Sequence, residues 1–156
     1  RRRPAPRIVN GWSPTVHSAA GYGRSVTTDD PDTAFLRSVL AALHPEVTTD
    51  GRTGSAVFEP RPEHRGAPRW VHGGFLATVL DHFCARIAGT ALDSKVATGT
   101  LDLRYRQPVL LDGGPYRLEG EADPTRGRIV HVKAEIIGPD DRTRTEAKAL
   151  FVAVDR

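Results

Sequence analysis

Apolar residues Phe35, Leu36, Val39, Leu40 and Leu43 recur at helical spacing behind Pro31, with Asp29, Asp30 and Asp32 near the amino end. The pattern predicts a short amphipathic cover helix. Ala56, Val57 and Phe58 predict a first strand, closed by the proline-rich segment 59–68. From His72 to about Gly89 the positions Phe75, Leu76, Val79, Leu80, Phe83, Ile87 and Ala88 make an apolar surface wide enough to be mostly buried, which predicts the long helix, with Gly89 as its stop. The period then changes to two. Leu101, Leu103 and Tyr105 alternate with Asp102, Arg104 and Arg106, as in a strand with one buried face. Strands over 115–122, 129–137 and 143–154 follow, separated by segments 123–127 and 138–141 that carry turn chemistry. One strand, a long buried helix and four further strands predict an α+β domain in which an antiparallel sheet wraps a central helix. No internal repeat is visible.

Composition narrows the picture. A chain of 156 residues, 38% of them hydrophobic, suffices for one core, so one globular domain is expected over 31–156. Residues 1–30 mix arginine, proline, glycine and serine without periodicity, as a loosely structured arm does. No apolar run is expected to approach the roughly 18 residues that span a bilayer. Basic Arg1–Arg7 is followed by Gly11, Trp12, Ser13 and Pro14, unlike a secretory signal. Membrane insertion is therefore not expected, and the cytoplasm is the expected compartment. Cys84 is the single cysteine, so neither an internal disulfide nor a paired-cysteine metal site is expected. The formal charge is only +3, and arginine outnumbers lysine, which occurs at Lys95, Lys133 and Lys148. Arginine's planar fork suits phosphate oxygens, although such an excess also serves a plain solvated surface. Nucleic acid is not an expected partner: aromatics are 6% of the chain, and no dense basic stripe interleaves with them.

The chemistry concentrates where Trp70-Val71-His72-Gly73-Gly74 meets the long helix. Glycines at a helix start leave backbone N–H groups unshielded, a ready site for negative charge and for the oxyanion formed when a carbonyl is attacked. Asp81 lies eight residues beyond Gly73 among apolar neighbours, where a carboxylate is costly without partners or a task. Each feature also has a plain structural use, the diglycine in close packing and the aspartate in hydrogen bonding. Eight residues at 1.5 Å rise separate Gly73 from Asp81 by roughly 12 Å, so one carbonyl cannot touch both within a chain. If both act on one substrate, two such helices must lie antiparallel about a twofold axis, as a dimer or a dimer of dimers.

The segment His72-Gly73-Gly74-Phe75-Leu76-Ala77-Thr78-Val79-Leu80-Asp81 resembles the signature of the PaaI-like branch of the hotdog-fold acyl-CoA thioesterases: His-Gly-Gly, six residues, then an acid. The resemblance runs from about Gly66 to the end. The segment 98–108 is similar to the family's strand after the helix, which usually ends in Tyr-x-x-Pro, here Tyr105 to Pro108, and 146–151 is similar to its final strand. The resemblance implies a hotdog fold and hydrolysis of acyl-CoA, or acyl carrier protein, thioesters by a homodimer or homotetramer. Asp81 would be nucleophile or general base, assisted by Thr98. The Gly73 backbone would polarise the carbonyl, with Gly74 beside it and His72 supporting the oxyanion loop or the thioester. No cofactor or metal is implied, since CoA is part of the substrate. Many relatives carry asparagine six residues before the histidine. Here that position is Gly66, with His64 or Arg65 as candidates to compensate.

For the CoA end the family uses basic residues near the turn between its third and fourth strands, which implies Arg126 and Arg128; a charged hairpin that only keeps the surface soluble accounts for them equally. Arg104 and Arg106 are weaker candidates. Cys84, with His82 as base, is set aside as a nucleophile, because residues two apart on a helix do not share a face and lone buried cysteines are usually inert. His131 reads as structural. Two rival functions stand beside hydrolysis: a hotdog module that binds acyl-CoA without reacting, and a hotdog dehydratase or hydratase.

Overall fold

The computed structural model describes Ala41, Ala42 and residues 47–154. The expected N-terminal arm and all of the expected cover helix except Ala41 and Ala42 lie outside the described residues. Ala41 and Ala42 are helical, and Ala42, fully buried, accepts the Glu59 N–H through its carbonyl at 2.8 Å.

The described elements are β1 (Thr48–Thr49), β2 (Thr53–Phe58), a 3-10 turn (Pro62–His64), α1 (Gly73–Leu92), β3 (Val96–Tyr105), β4 (Tyr116–Ala122), β5 (Ile129–Ile137) and β6 (Thr143–Ala153). All neighbouring strands pair antiparallel in one six-stranded sheet of order β1-β2-β4-β5-β6-β3. The expected sheet around a central helix is present. Phe75, Leu76, Val79, Leu80, Phe83, Cys84, Ile87 and Ala88 of α1 are buried against Phe58, Leu118, Val132, Ile136 and Phe151 of the sheet's inner face. Each fully buried Leu, Ile, Val or Phe side chain contributes about 1.5–3 kcal/mol of transfer free energy.

Four local expectations are corrected. The first strand begins at Thr53, not Ala56, because Thr53, Gly54 and Ser55 pair with Glu121, Gly120 and Glu119, a stretch without apolar alternation to announce it. The helix runs three residues past Gly89 and stops at Asp93, which is left-handed at φ 46° and donates its N–H to the Gly89 and Thr90 carbonyls. Gly89 serves the cap by proximity, since an added Cβ there would stand 3.3 Å from the Ser94 carbonyl oxygen. Third, α1, at 20 residues, is long and apolar enough by length and composition to cross a membrane. The sheet covers its apolar face, as it would any core helix, which is why the composition is so apolar.

The fourth concerns β3, which the alternation presents as half buried. Most of its residues are exposed, and Tyr105, expected inside, is 53% exposed. β3 is the sheet's edge, and its outer N–H and C=O groups have no neighbouring strand among the described residues. A register shift between Thr98 and Thr100 leaves Gly99 unpaired in a bulge. Alternation counted back from Leu103 and Leu101 would put Gly99 and Ala97 on the helix side and Thr98 outside. The bulge reverses that parity: Thr98 pairs with buried Phe151 and shares its face.

Gly54 and Gly120 pair with each other beneath Ile87. A Cβ at Gly120 would lie 2.8 Å from both Ile87 Cδ1 and Phe83 Cε1 and 3.2 Å from the Lys133 carbonyl oxygen. Gly120→Ala is expected to overpack the core and to lower unfolding free energy by about 1–3 kcal/mol, read as a lower denaturant midpoint at unchanged slope.

Candidate functional site

The loop before α1 is built onto the helix start. The Arg61 N–H donates to His64 Nδ1 at 2.9 Å, and the His64 carbonyl accepts the His72 N–H at 2.8 Å. The His64 ring is 2% exposed and stacks on Phe75 with centroids 3.8 Å apart. Gly66 donates its N–H to the Trp70 carbonyl, and Val71 donates to Val109. His64 is thus a buried support of this loop, with its Nδ1 already engaged.

Burial pushes the His64 pKa below the usual 6.5. The unfolded chain therefore takes up a proton at higher pH than the folded chain, which must stay neutral for Nδ1 to accept. Stability is expected to be full above about pH 6.5 and to fall as pH drops from there toward the lowered folded value, by at most about 1.4 kcal/mol per pH unit. Denaturant midpoints across pH 8 to 5 should show a shallower decline in His64→Gln than in the parent.

His72 is the N-cap of α1, and its Nδ1 accepts the Gly74 N–H at 3.0 Å. The helix start therefore does not offer both glycine N–H groups. Gly74 is spent on the cap, whereas the Gly73 N–H has no protein acceptor among the described residues. The first turn contains no acidic side chain, so the helix supplies no carboxylate of its own to its positive end. The Gly73 carbonyl accepts the Tyr105 hydroxyl at 2.8 Å, and the tyrosine ring lies over Gly73, 3.4 Å from where a Cβ would stand. Burial raises the Tyr105 pKa above its usual 10, so the hydroxyl remains a donor at neutral pH.

Asp81 is half-buried two turns along α1. Its Oδ1 accepts the Thr98 hydroxyl at 2.8 Å, and Oδ2 has no protein partner among the described residues. The bulge on β3 makes this contact, by turning Thr98 to the helix side. Asp81 and Thr98 are therefore brought together, and His72, Gly73 and Gly74 form a second group; within one chain the two remain a helix length of roughly 12 Å apart. A recess of about 360 Å³ lined by Glu63, His64, Arg65, His72, Gly74 and Phe75 adjoins the second group. A larger concavity, about 1320 Å³, is lined instead by sheet residues such as Glu119, Lys133 and Lys148, and includes neither group.

The other candidates are placed as follows. Arg128 is exposed, its Nε and Nη2 donating to the Ala153 carbonyl at 3.1 and 2.5 Å. Arg126 sits exposed in the hairpin, its backbone closing the turn with Ile129. Arg106 pairs with Glu146 at 2.9 Å. Cys84 is fully buried, and burial pushes its thiol up to about 12, which leaves no thiolate at neutral pH. His131 is exposed on β5. Among the described residues, no group of three or more His, Cys, Asp or Glu side chains could hold a metal ion.

Sequence reasoning assigned no task to Tyr105 or to Gly66. The Tyr-x-x-Pro strand ending was the available signal for the first. For Gly66 it was the place usually held by asparagine: a Cβ there would stand 2.9 Å from His72 Cα and 3.3 Å from its Cδ2.

No family model matches the chain. The acyl-coenzyme A thioesterase THEM4 of Xenopus laevis is 34% identical over 98 residues, covering 62% of this chain and 43% of that protein. The chain thus spans less than half the length of the curated relatives it matches. Among solved structures, AziG of S. sahachiroi superposes with a TM-score of 0.71 at 13% identity, covering 78% of this chain and 97% of AziG. A thioesterase superfamily protein from Shewanella loihica gives 0.59 at 23% identity, with 70% and 90% covered. On its wrapped helix, its strand order and these likenesses, the chain has the hotdog fold of the thioesterase-superfamily structures it superposes on, and part of its sequence is similar to acyl-coenzyme A thioesterases.

Proposed function

We propose that the protein hydrolyses acyl-CoA thioesters as a homodimer, or a dimer of dimers, of the PaaI-like kind. The observation that carries this reading is the Asp81 carboxylate, with one oxygen held by the Thr98 hydroxyl and the other open. The open oxygen either attacks the thioester carbonyl carbon or takes a proton from an attacking water. In the first case a mixed anhydride forms, the C–S bond breaks, CoA leaves as thiolate, and water then releases the acid and restores Asp81. In the second, water adds directly and the thiolate leaves from the tetrahedral adduct. A thiolate is a competent leaving group, so neither route needs a dedicated acid.

The oxyanion of either route needs donors, and the open Gly73 N–H at the positive helix end is suited to that role. It comes from the partner chain in this reading. Thr98 marks the position of Asp81 along β3, and Tyr105 marks that of Gly73. A twofold axis between Leu101 and Asp102, midway between those two residues, would pair the open β3 edges antiparallel. It would lay Thr98 of one chain beside the Tyr105 end of the other. The same pairing accounts for the exposed inner positions of β3.

Arg126, exposed on its hairpin, is the candidate for the phosphates of CoA, with Arg128 in a supporting place because the Ala153 carbonyl occupies it. The substrate is a pantetheine thioester, so acyl carrier protein joins CoA in the test. Thiol release is measured over a panel of acyl-CoA chain lengths and one acyl carrier protein thioester. Free thiol in stoichiometry with free acid is expected. Binding without thiol would make the chain an acyl-CoA-binding module, and a hydrated acyl chain still joined to its thiol would make it a hydratase.

A further inference from the structure

One peptide unit, Gly73–Gly74, lies between two side chains. Its carbonyl accepts the Tyr105 hydroxyl at 2.8 Å, and its N–H donates to His72 Nδ1 at 3.0 Å. Tyr105 stands on β3 and His72 at the end of the loop before α1, so the peptide links the sheet edge to the imidazole. We propose that Tyr105 is a positioning residue that acts through this peptide to hold His72 as a neutral imidazole with its proton on Nε2, presented as a second donor to the substrate carbonyl oxygen. The proposal rests on the thioesterase reading for the identity of that oxygen, but not for the state of the ring.

The chemistry follows from the direction of each bond. A ring nitrogen that accepts carries no proton, so the neutral ring's proton lies on Nε2, and the bond made by one nitrogen sets the tautomer of the other. A hydroxyl donating to the carbonyl draws electron density from the amide and makes its N–H a stronger donor, as in other chains of hydrogen bonds. Without that hydroxyl, two successive glycines are the most mobile start a helix can have.

The ring has little freedom to leave this arrangement. A Cβ at Gly74 would stand 3.0 Å from both Cε1 and Nδ1 of His72, and a Cβ at Gly66 would stand 2.9 Å from its Cα and 3.3 Å from its Cδ2. The ring is thus seated between two residues that lack side chains. Its Nε2 has no protein partner among the described residues, and His72 lines the recess together with Phe75 and His64. In this chain the glycine at position 66 makes room for the histidine, which itself supplies the donor.

Tyr105→Phe keeps the ring over Gly73 and removes only the hydroxyl. Two readouts are taken on parent and variant: kinetics on the best thioester of the panel, and nitrogen-15 NMR of the His72 ring at pH 8 without substrate. The variant is expected to lose about five- to tenfold in kcat with KM within twofold, the size of one neutral hydrogen bond felt in the transition state. Its His72 nitrogens should move from one protonated and one unprotonated signal toward averaged values. Unchanged nitrogen signals overturn the proposal whatever the kinetics do, and so does a loss confined to KM. A parent that releases no thiol from any thioester sinks the thioesterase reading instead; the NMR comparison still decides whether Tyr105 controls the His72 tautomer.

Discussion

Asp81→Asn is expected to lower kcat by roughly 10²- to 10⁴-fold, the range that positioned proton transfer contributes, with KM changed by no more than a few-fold. The substitution preserves shape, and an asparagine oxygen can still accept the Thr98 hydroxyl that now reaches Oδ1. It removes the charge and the basicity of the open oxygen, which either proposed route requires. Because the side chain is half-buried and no ion pair among the described residues holds it, the denaturant midpoint should stay close to that of the parent. The measurement is kcat and KM on the best substrate of the panel, beside an unfolding curve. Parental turnover in the variant would remove Asp81 from the centre of the reaction.

Gly73→Pro is the matching test at the other end of the helix, and the local backbone makes it selective. Gly73 is the first helical residue, a position where proline's fixed φ is accommodated and its missing N–H breaks no helical bond. The preceding residue, His72, already has φ −63° and ψ 131°, the extended conformation that proline demands of its neighbour. An added Cβ would meet the Tyr105 ring at 3.4 Å, an ordinary contact. The substitution therefore deletes the proposed oxyanion donor and little else, and about 10²- to 10³-fold should be lost from kcat.

The two variants together test the shared site. In a hybrid dimer of one Asp81→Asn chain and one Gly73→Pro chain, one site carries both lesions and the other carries neither. Random pairing on co-expression makes half the dimers hybrid, so about a quarter of the parental activity should return. Sites complete within single chains would return none, since every chain carries a lesion. Subunit exchange between differently tagged chains, followed by purification of the hybrid, raises the expected recovery to about half.

Much of this is legible in the amino-acid sequence. The apolar stripe from Phe75 to Ala88 predicted the buried helix, and the alternation in β5 and β6 predicted strands with one face inward, because periods of 3.6 and 2 are written directly in side-chain order. The resemblance around His72-Gly73-Gly74 and Asp81 supplied candidate chemistry, and helix rise alone separated its two halves. The sequence was less informative where a residue's task depends on something distant. The Thr53-Gly54-Ser55 start of β2 lacks a pattern because its glycine is shaped by Ile87, more than thirty residues away.

Three matters were decided only by the tertiary structure. The β3 bulge at Gly99 puts Thr98 on the side of Asp81, against the parity that alternation implies, because a one-residue shift in pairing moves a side chain to the opposite face. Tyr105 became exposed, and available to Gly73, because β3 took the edge of the sheet, a placement set by strand order and not by local pattern. At the helix start, only the bond from Gly74 to His72 shows which of two adjacent glycines keeps an open N–H. Side-chain order along the chain determined the helix, the strands and the residues able to do chemistry. The folded contacts decided which of those residues meet, since register, edge placement and capping depend on partners distant in sequence or on backbone geometry that no single residue specifies.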